Sequence, residues 1–397
     1  MSDFASVEDL IEEKALLVED GNHGEYRPLP FEFEDSGVPY IRASDINSGF
    51  VDFQEAGKIN MVAYARVRKG VGAPGDCILS HKGTVGLVAR APKNAPEFVC
   101  SPQTTVWRSL NQERIDGQFL LYALKSRLFQ SQLRAIELES DMAAYVSLTQ
   151  QRLLQIPLPG IVAQRSIAEV LGALDDKIAV CERVAALADA LRGREVEAAL
   201  TGSTTERQLS QMARFVNGRN FTKNAAGVGR PVIRIAELRS GLSPSTVYSE
   251  MLPVDDHVAG VGALLFSWSG SLTVRRWALN EGIVNQHIFK VIPRSGVPLW
   301  LVGALLEREL PRFRAIAADK ATTMGHIQRK HLDVLVPVPS DEWIAVHGPR
   351  MSSHWDLALA AELETQRLAA LRDALLPELM SGRLRVKDAE KQVEEVL

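Results

Sequence analysis

The chain repeats itself, and an internal repeat limits what a sequence can fold into more than any single motif does. The run Ile156-Pro157-Leu158-Pro159 returns as Val336-Pro337-Val338-Pro339, 180 positions later. The same offset then holds: Ala190-Leu191-Arg192 recurs as Ala370-Leu371-Arg372, Glu182 as Glu362, and Ala199-Leu200-Thr201-Gly202 as Leu379-Met380-Ser381-Gly382. A stretch that keeps one offset without insertion reads as a helix. Upstream the offset drifts. "YIRASDINSG" (Tyr40 to Gly49) matches "VIRIAELRSG" (Val232 to Gly241), and "GDCILSHKGT" (Gly75 to Thr84) matches "GALLFSWSGS" (Gly262 to Ser271). Each copy is therefore a loop-rich globular part that tolerates length changes, followed by a helix that does not.

The globular parts read as mixed α/β. "PYIRASDI", "DCILS" and "VGLVA" in the first copy, and "PVIRIAEL", "GALLFS" and "HIFKVI" in the second, are short apolar runs ended by Gly, Pro, Asp or Ser, as strands are. Helical spacing follows over Gln118 to Glu137 and over Leu299 to Ala318. The proline runs close each copy as edge segments, because proline has no N–H for a central ladder and holds its predecessor extended.

Past Gly160 the period changes. Ile167, Val170, Leu174, Ile178, Cys181, Ala185, Ala188 and Leu191 step by three and four, near the spacing of a helix packed along one seam. The second copy gives Leu357, Ala361, Leu368, Leu371 and Leu375, with Glu364 as a polar intruder. Two such helices can lie antiparallel and bury both stripes together. The expected fold class is α/β (α+β): two similar globular domains joined by two long antiparallel helices, a pseudo-twofold internal repeat. The expected boundaries are 1–155, 156–203, 204–335 and 336–397.

At 397 residues the chain exceeds one ordinary core. Cys77, Cys100 and Cys181 are scattered, with no ligand spacing, so neither a disulfide framework nor a metal site is expected. The start is acidic, no stretch reaches a membrane span, and the expected location is cytoplasmic. The net charge of −4 is poor for a binder of nucleic acid, but it is uneven. Residues 1–35 hold most of the excess acid, leaving the remainder net basic, and two windows, 64–93 and 206–239, are basic in matching places.

Gly70-Val71-Gly72-Ala73-Pro74-Gly75 fits GxGxxG, yet a strand and turn follow it instead of a helix, so a tight turn is expected in place of cofactor binding. Asp9 and Glu12-Glu13-Lys14 crowd one acidic helix, whereas nuclease carboxylates converge on a metal from separate strands. No phosphate-binding loop, zinc-protease, serine-hydrolase or amino-methyltransferase motif occurs. No catalytic residue, metal ligand or cofactor of the chain's own is expected.

The order of these pieces resembles the specificity subunit of type I restriction–modification systems. The residues that carry the likeness are "IPLP…QRSIAEVLGALDDKI", "LRDALLPELMSGRLRV" (Leu371 to Val386), "VPYIRASDI" and "RPVIRIAEL", and the likeness runs over nearly the whole chain. It implies two target-recognition domains, each reading one half of a split, asymmetric double-stranded DNA site. It also implies long helices that space them and dock two modification (methyltransferase) subunits carrying S-adenosylmethionine, with restriction subunits joining and no catalysis by the chain itself. A helix from Ala163 to Leu200 would be roughly 55 Å long, a ruler on the scale of one to one and a half turns of B-DNA. The acidic segment from Asp3 to Asp35 departs from the pattern and leaves its own place open.

On this reading the expected DNA contacts are Arg66, Arg68, Lys69, His81, Lys82 and Thr84 in the first copy. In the second they are Arg219, Asn220, Lys223, Arg230, Ser269, Ser271, Arg275 and Arg276. They supply donors for phosphate and for guanine and adenine edges, and glycine-rich turns for close approach. The helix residues expected at the subunit-docking surface are Ile167, Val170, Leu174, Ile178, Leu368, Leu371 and Leu375. The competing reading is a protein-interaction scaffold with duplicated partner-binding domains.

Overall fold

The computed structural model describes residues 4–47, 49–138, 144–223, 225–318 and 325–396. The chain divides into two units, one of residues 1–176 with 369–397, the other of residues 177–368.

In the first unit a four-stranded antiparallel sheet runs in the order Thr84–Arg90, Cys77–Lys82, Thr104–Ser109, Leu16–Asp20. A second sheet is built around Val38–Ile41, parallel to Phe98–Cys100, with Val71–Gly72 antiparallel on the far side. Phe4–Ser6 and Gln155–Pro157 make a separate two-stranded ribbon. The acidic opening thus belongs to the fold, since Leu16–Asp20 is a strand of the main sheet.

The second unit repeats this plan. Its main sheet runs Thr273–Arg276, Leu264–Ser267, Ile288–Pro293, Ala213–Asn217. Its second sheet sets Arg230–Ile233 parallel to Gly282–Val284, with Val258–Ala259 antiparallel beyond. Thr204–Gln208 and Leu335–Pro339 form the ribbon. The same strand order, with the same directions, is built twice. Both proline runs lie in two-stranded ribbons, where a missing N–H can face away from the partner.

Two details depart from the sequence reading. The stretch expected as one helix from Gln118 to Glu137 is two, Gly117–Lys125 and Arg127–Leu138. Ser126 is extended between them, and its hydroxyl accepts from Phe129 N–H, capping the second helix. "RPVIRIAEL" is a strand only as far as Ile233, and Ile235–Ser240 is helical. There the Glu237 carboxylate accepts from Arg234 N–H at 3.0 Å, and Gly241 closes the helix at φ 75°.

The two long helices are Ile161–Ala199 and Asp341–Met380. The residues expected at the docking surface are mostly inside the chain. Ile167, Val170, Leu174, Ile178, Leu368 and Leu375 are buried and Leu371 is half-buried, so they form the seam and are not open to another subunit. Large apolar residues that do face outward on the first helix are Val162, Val180, Leu187 and Leu191, the last of these against its expected place in the seam.

Within the second unit the two helices run antiparallel, with Arg192 against Trp355 and Glu195 against Arg350. Within the first, Arg372 donates to Asp175 at 2.7 Å. Matching positions are filled oppositely. Tyr122 hydroxyl reaches Asp175 at 2.8 Å in the first unit. In the second, Gly303 stands in the tyrosine's place and Trp355 in the aspartate's, so close that a Cβ at Gly303 would lie 3.1 Å from the indole.

Candidate nucleic-acid interface

In the first unit Asp20 and Leu79 both pair with Thr105, so Leu16–Asp20 and Cys77–Lys82 point the same way and finish at one end of the sheet. The loops leaving that end hold most of the basic residues singled out from sequence. The turn after Lys82 is fixed by backbone bonds: His81 N–H to Gln103, Val146 N–H to the His81 carbonyl, and Gly83 N–H to Ala144. His81 is buried. Its Nδ1 donates to the Val146 carbonyl at 2.9 Å and its Nε2 lies 3.4 Å from Asp20 Oδ1. Burial works against the Asp20 carboxylate, but hydrogen bonding and charge from His81 outweigh it and hold its pKa below the ordinary value. Lys82 and Thr84 are exposed, and Lys82 reaches over the Tyr145 ring at 5.8 Å.

The neighbouring loop leaves Asp20 through Gly21, where a Cβ would fall 1.9 Å from the Ser101 carbonyl oxygen. Only glycine fits so close an approach. Beyond it a cavity of about 460 Å³ is lined by Asn22, His23, Gly24, Glu25, Tyr26, Arg68 and Lys69. Since His23 also lies 3.7 Å from Asp20, the structure gathers Arg68, Lys69, His81, Lys82 and Thr84 at one end of the sheet. Arg66 is a correction. It grips Glu32 through two contacts of 2.6 Å, holding that carboxyl down to about 2, so its guanidinium is already taken. His81 likewise faces inward and supports the turn instead of presenting a donor. Of the GxGxxG glycines Gly70, at φ 75°, and Gly75, at φ 87°, serve turns, while Gly72 lies in the strand Val71–Gly72 against the Phe98 ring, and a strand follows from Cys77.

The second unit builds the same end with other side chains. Trp268 replaces His81 and Asn217 replaces Asp20, and the indole N–H donates to Asn217 Oδ1 at 2.7 Å. The turn is fixed by the corresponding bonds: Trp268 N–H to His287, Ile327 N–H to Trp268, and Gly270 N–H to Gly325. Arg219, Asn220 and Lys223 are exposed on the loop after Asn217, and Gly218, like Gly21, has no room for a Cβ, which would lie 2.2 Å from the Asn285 carbonyl oxygen.

A cavity of about 510 Å³ beside the turn is lined by Arg239, Ser271, Thr273 and Arg314 among others. Arg239 donates to the Ser271 hydroxyl at 3.4 Å and Arg314 to the Leu272 carbonyl at 3.2 Å. Neither arginine was singled out from sequence. Arg239 could have been, because it sits in the repeated "VIRIAELRSG", whereas Arg314 reaches the site from the helix Leu299–Ala318 and leaves no local signal.

Three further expectations change. Ser269 is buried, its backbone bridged to His326, so its hydroxyl is not a surface contact. Arg230 pairs with Glu281 at 2.6 Å. Arg275 and Arg276 are neighbours on one strand and therefore face opposite ways. Arg275 is exposed, while the Arg276 side chain is 4% exposed and bound to Asp189 and Glu362. Arg276 is thus a core ion pair and not a free donor.

Residues 22–186 match the family described as the type I restriction modification DNA specificity domain. A putative type I restriction enzyme MjaX specificity subunit of Methanocaldococcus jannaschii is 26% identical over 145 residues, 36% of this chain and 34% of that protein. The type I restriction enzyme EcoKI specificity subunit of Escherichia coli is 22% identical over 228 residues, 52% of this chain and 48% of that protein. The chain thus spans about a third and about half the length of these curated relatives. The crystal structure of a type I restriction–modification S subunit from M. genitalium aligns with 96% of both chains at a TM-score of 0.53 and 15% identity, a likeness of fold. Residues 22–186 thus match a type I restriction modification DNA specificity domain, and the chain as a whole shares the fold of a solved S subunit.

Proposed function

We propose that this chain is the DNA-reading component of a type I restriction–modification assembly, each unit taking one half of a bipartite, asymmetric site. The two long helices run from one half of the chain to the other and fix the gap between half-sites. Their outward apolar residues, Val180, Leu187 and Leu191, offer the kind of surface on which modification subunits bearing S-adenosylmethionine would dock. The chain supplies recognition and its partners supply chemistry.

One observation carries this reading. The same sheet end is built twice on the same strand order, with the same backbone bonds holding its turn, while the side chains differ: His81, Lys82 and Asn22 in one unit, Trp268, Ser269 and Arg219 in the other. A constant frame with changed side chains suits two readers of different sequences. Exposed Arg68, Lys69, Arg219 and Lys223 supply the phosphate attraction that association with DNA requires.

The test is to assemble the chain with its modification subunits, methylate a random duplex library and sequence the products. Two short defined half-sites at one fixed gap are expected. Methylation without sequence preference would refute the reading. Charge reversal at Arg219 and Lys223 should lower DNA affinity with partner binding intact, whereas a protein-interaction scaffold would show no change on DNA.

A further inference from the structure

The loop that leaves the first strand of each main sheet is held alike and filled differently. Gly21 N–H donates to Thr104 and Asn22 N–H to Cys100. Gly218 N–H donates to Ile288 and Arg219 N–H to Val284. Asn22 and Arg219 therefore occupy one position of one frame. Asn22 is 1% exposed and belongs to the wall of the cavity shared with Tyr26, Arg68 and Lys69. Neither its Oδ1 nor its Nδ2 has a hydrogen-bond partner among the described residues. A covered amide with donor and acceptor both unspent is a cost to the fold, and it is relieved by a ligand edge that offers the complementary pair.

Among base edges, adenine presents that pair, an amino donor at N6 beside an acceptor at N7. Arg219 is exposed and has no carboxylate partner among the described residues, and its fork matches the two acceptors O6 and N7 of guanine. The flanking charges differ to suit. Val71 and Val258 hold the same sheet position, so Arg68 and Lys69 stand where the second unit has Asp255 and Asp256. The neutral reader is thus flanked by cations able to hold phosphate, and the cationic reader by acids.

We propose that Asn22 and Arg219 are the base-selecting residues of the two units, Asn22 taking an adenine and Arg219 a guanine. This rests on the DNA-reading function proposed above. The experiment uses the assembled complex with modification subunits, first to define the two half-sites by mapping methylated positions. Duplexes then carry 7-deazaadenine at single adenines of one half-site, or 7-deazaguanine at single guanines of the other, which deletes N7 and leaves base pairing intact.

One 7-deazaadenine is expected to weaken binding about tenfold with the native chain and less than about twofold with Asn22→Ala or Asn22→Ser. One 7-deazaguanine should behave likewise with the native chain and lose its effect with Arg219→Ala. A half-site without any A·T pair on the first unit's side, or native binding indifferent to every 7-deaza substitution, overturns the assignment even if an Asn22 variant fails to fold. So do deaza effects that persist in the variants. Native binding without sequence preference would instead sink the DNA-reading function itself.

Discussion

Replacing Arg276 with methionine removes a cation from the interior of the second unit while keeping most of its bulk. The guanidinium donates to Asp189 at 2.7 and 2.8 Å and to Glu362 at 2.9 and 3.1 Å. It also lies 4.5 Å from the centre of the Trp355 ring, which Arg192 approaches at 4.9 Å. Breaking a fully buried pair from one side costs about 3–5 kcal/mol. Asp189 and Glu362 are 33% and 28% exposed and recover water, which lowers that term to about 2 kcal/mol. The stacked cation adds about 1 kcal/mol.

The sum is about 3 kcal/mol, or a fall in Tm of about 6–12 °C for a unit of this size. Urea midpoints and calorimetry on the full chain measure it. Arg192→Met is the control. Arg192 is wholly buried but its Nε and Nη2 make no hydrogen bond, Nη2 reaching Glu307 only at 3.6 Å, and Asp189 keeps Arg276 when it is lost, so its removal should cost less than half as much. A loss below about 1 kcal/mol for Arg276→Met, or a larger loss for Arg192→Met, would refute the reasoning. Sequence-specific DNA binding should survive Arg276→Met at temperatures where the unit stays folded; its disappearance there would restore Arg276 as a DNA contact.

Glu32 is held at about 2 by the Arg66 guanidinium and then by Leu29 N–H, so its contribution is full above about pH 4.3 and is lost as pH falls towards 2. Glu32→Gln should therefore flatten the acid limb of urea midpoint against pH, and an unchanged limb would contradict the pairing. Gly21→Ala places a methyl 1.9 Å from the Ser101 carbonyl oxygen and should cost about 1–3 kcal/mol by thermal melting, with Gly260→Ala, which has open space and no left-handed backbone, as a comparison that costs less. Arg68→Ala and Lys69→Ala should each reduce the slope of log affinity against log salt by about 1 without altering the methylated motif; a changed motif would make them base readers.

The architecture was largely legible because it is periodic and doubled. The matching proline runs marked the ribbons and the start of each long helix, and the drifting upstream offsets marked loops between strands of fixed order. Local chemistry hid the rest. Ser126 can end one helix and cap the next without disturbing the apolar spacing on either side. Basic windows pointed to the loops at the sheet ends but not to which of their cations stay free, because a guanidinium's partner is set by folding. Glu32 is 34 positions from Arg66 and Glu362 is 86 from Arg276. Asn22 gave no signal at all, since an unpaired amide is visible only once its surroundings are known.

The opposite filling at Tyr122 and Gly303 bears on how such chains can be recombined. A chimera that moved the strand-bearing part of one copy onto the other copy's helices would set a tyrosine ring against the Trp355 indole, or leave a glycine facing Asp175 across a hole. Two exchanges made together would keep the fit and either alone would not. The halves still share a blueprint, yet they have ceased to be spare parts for one another.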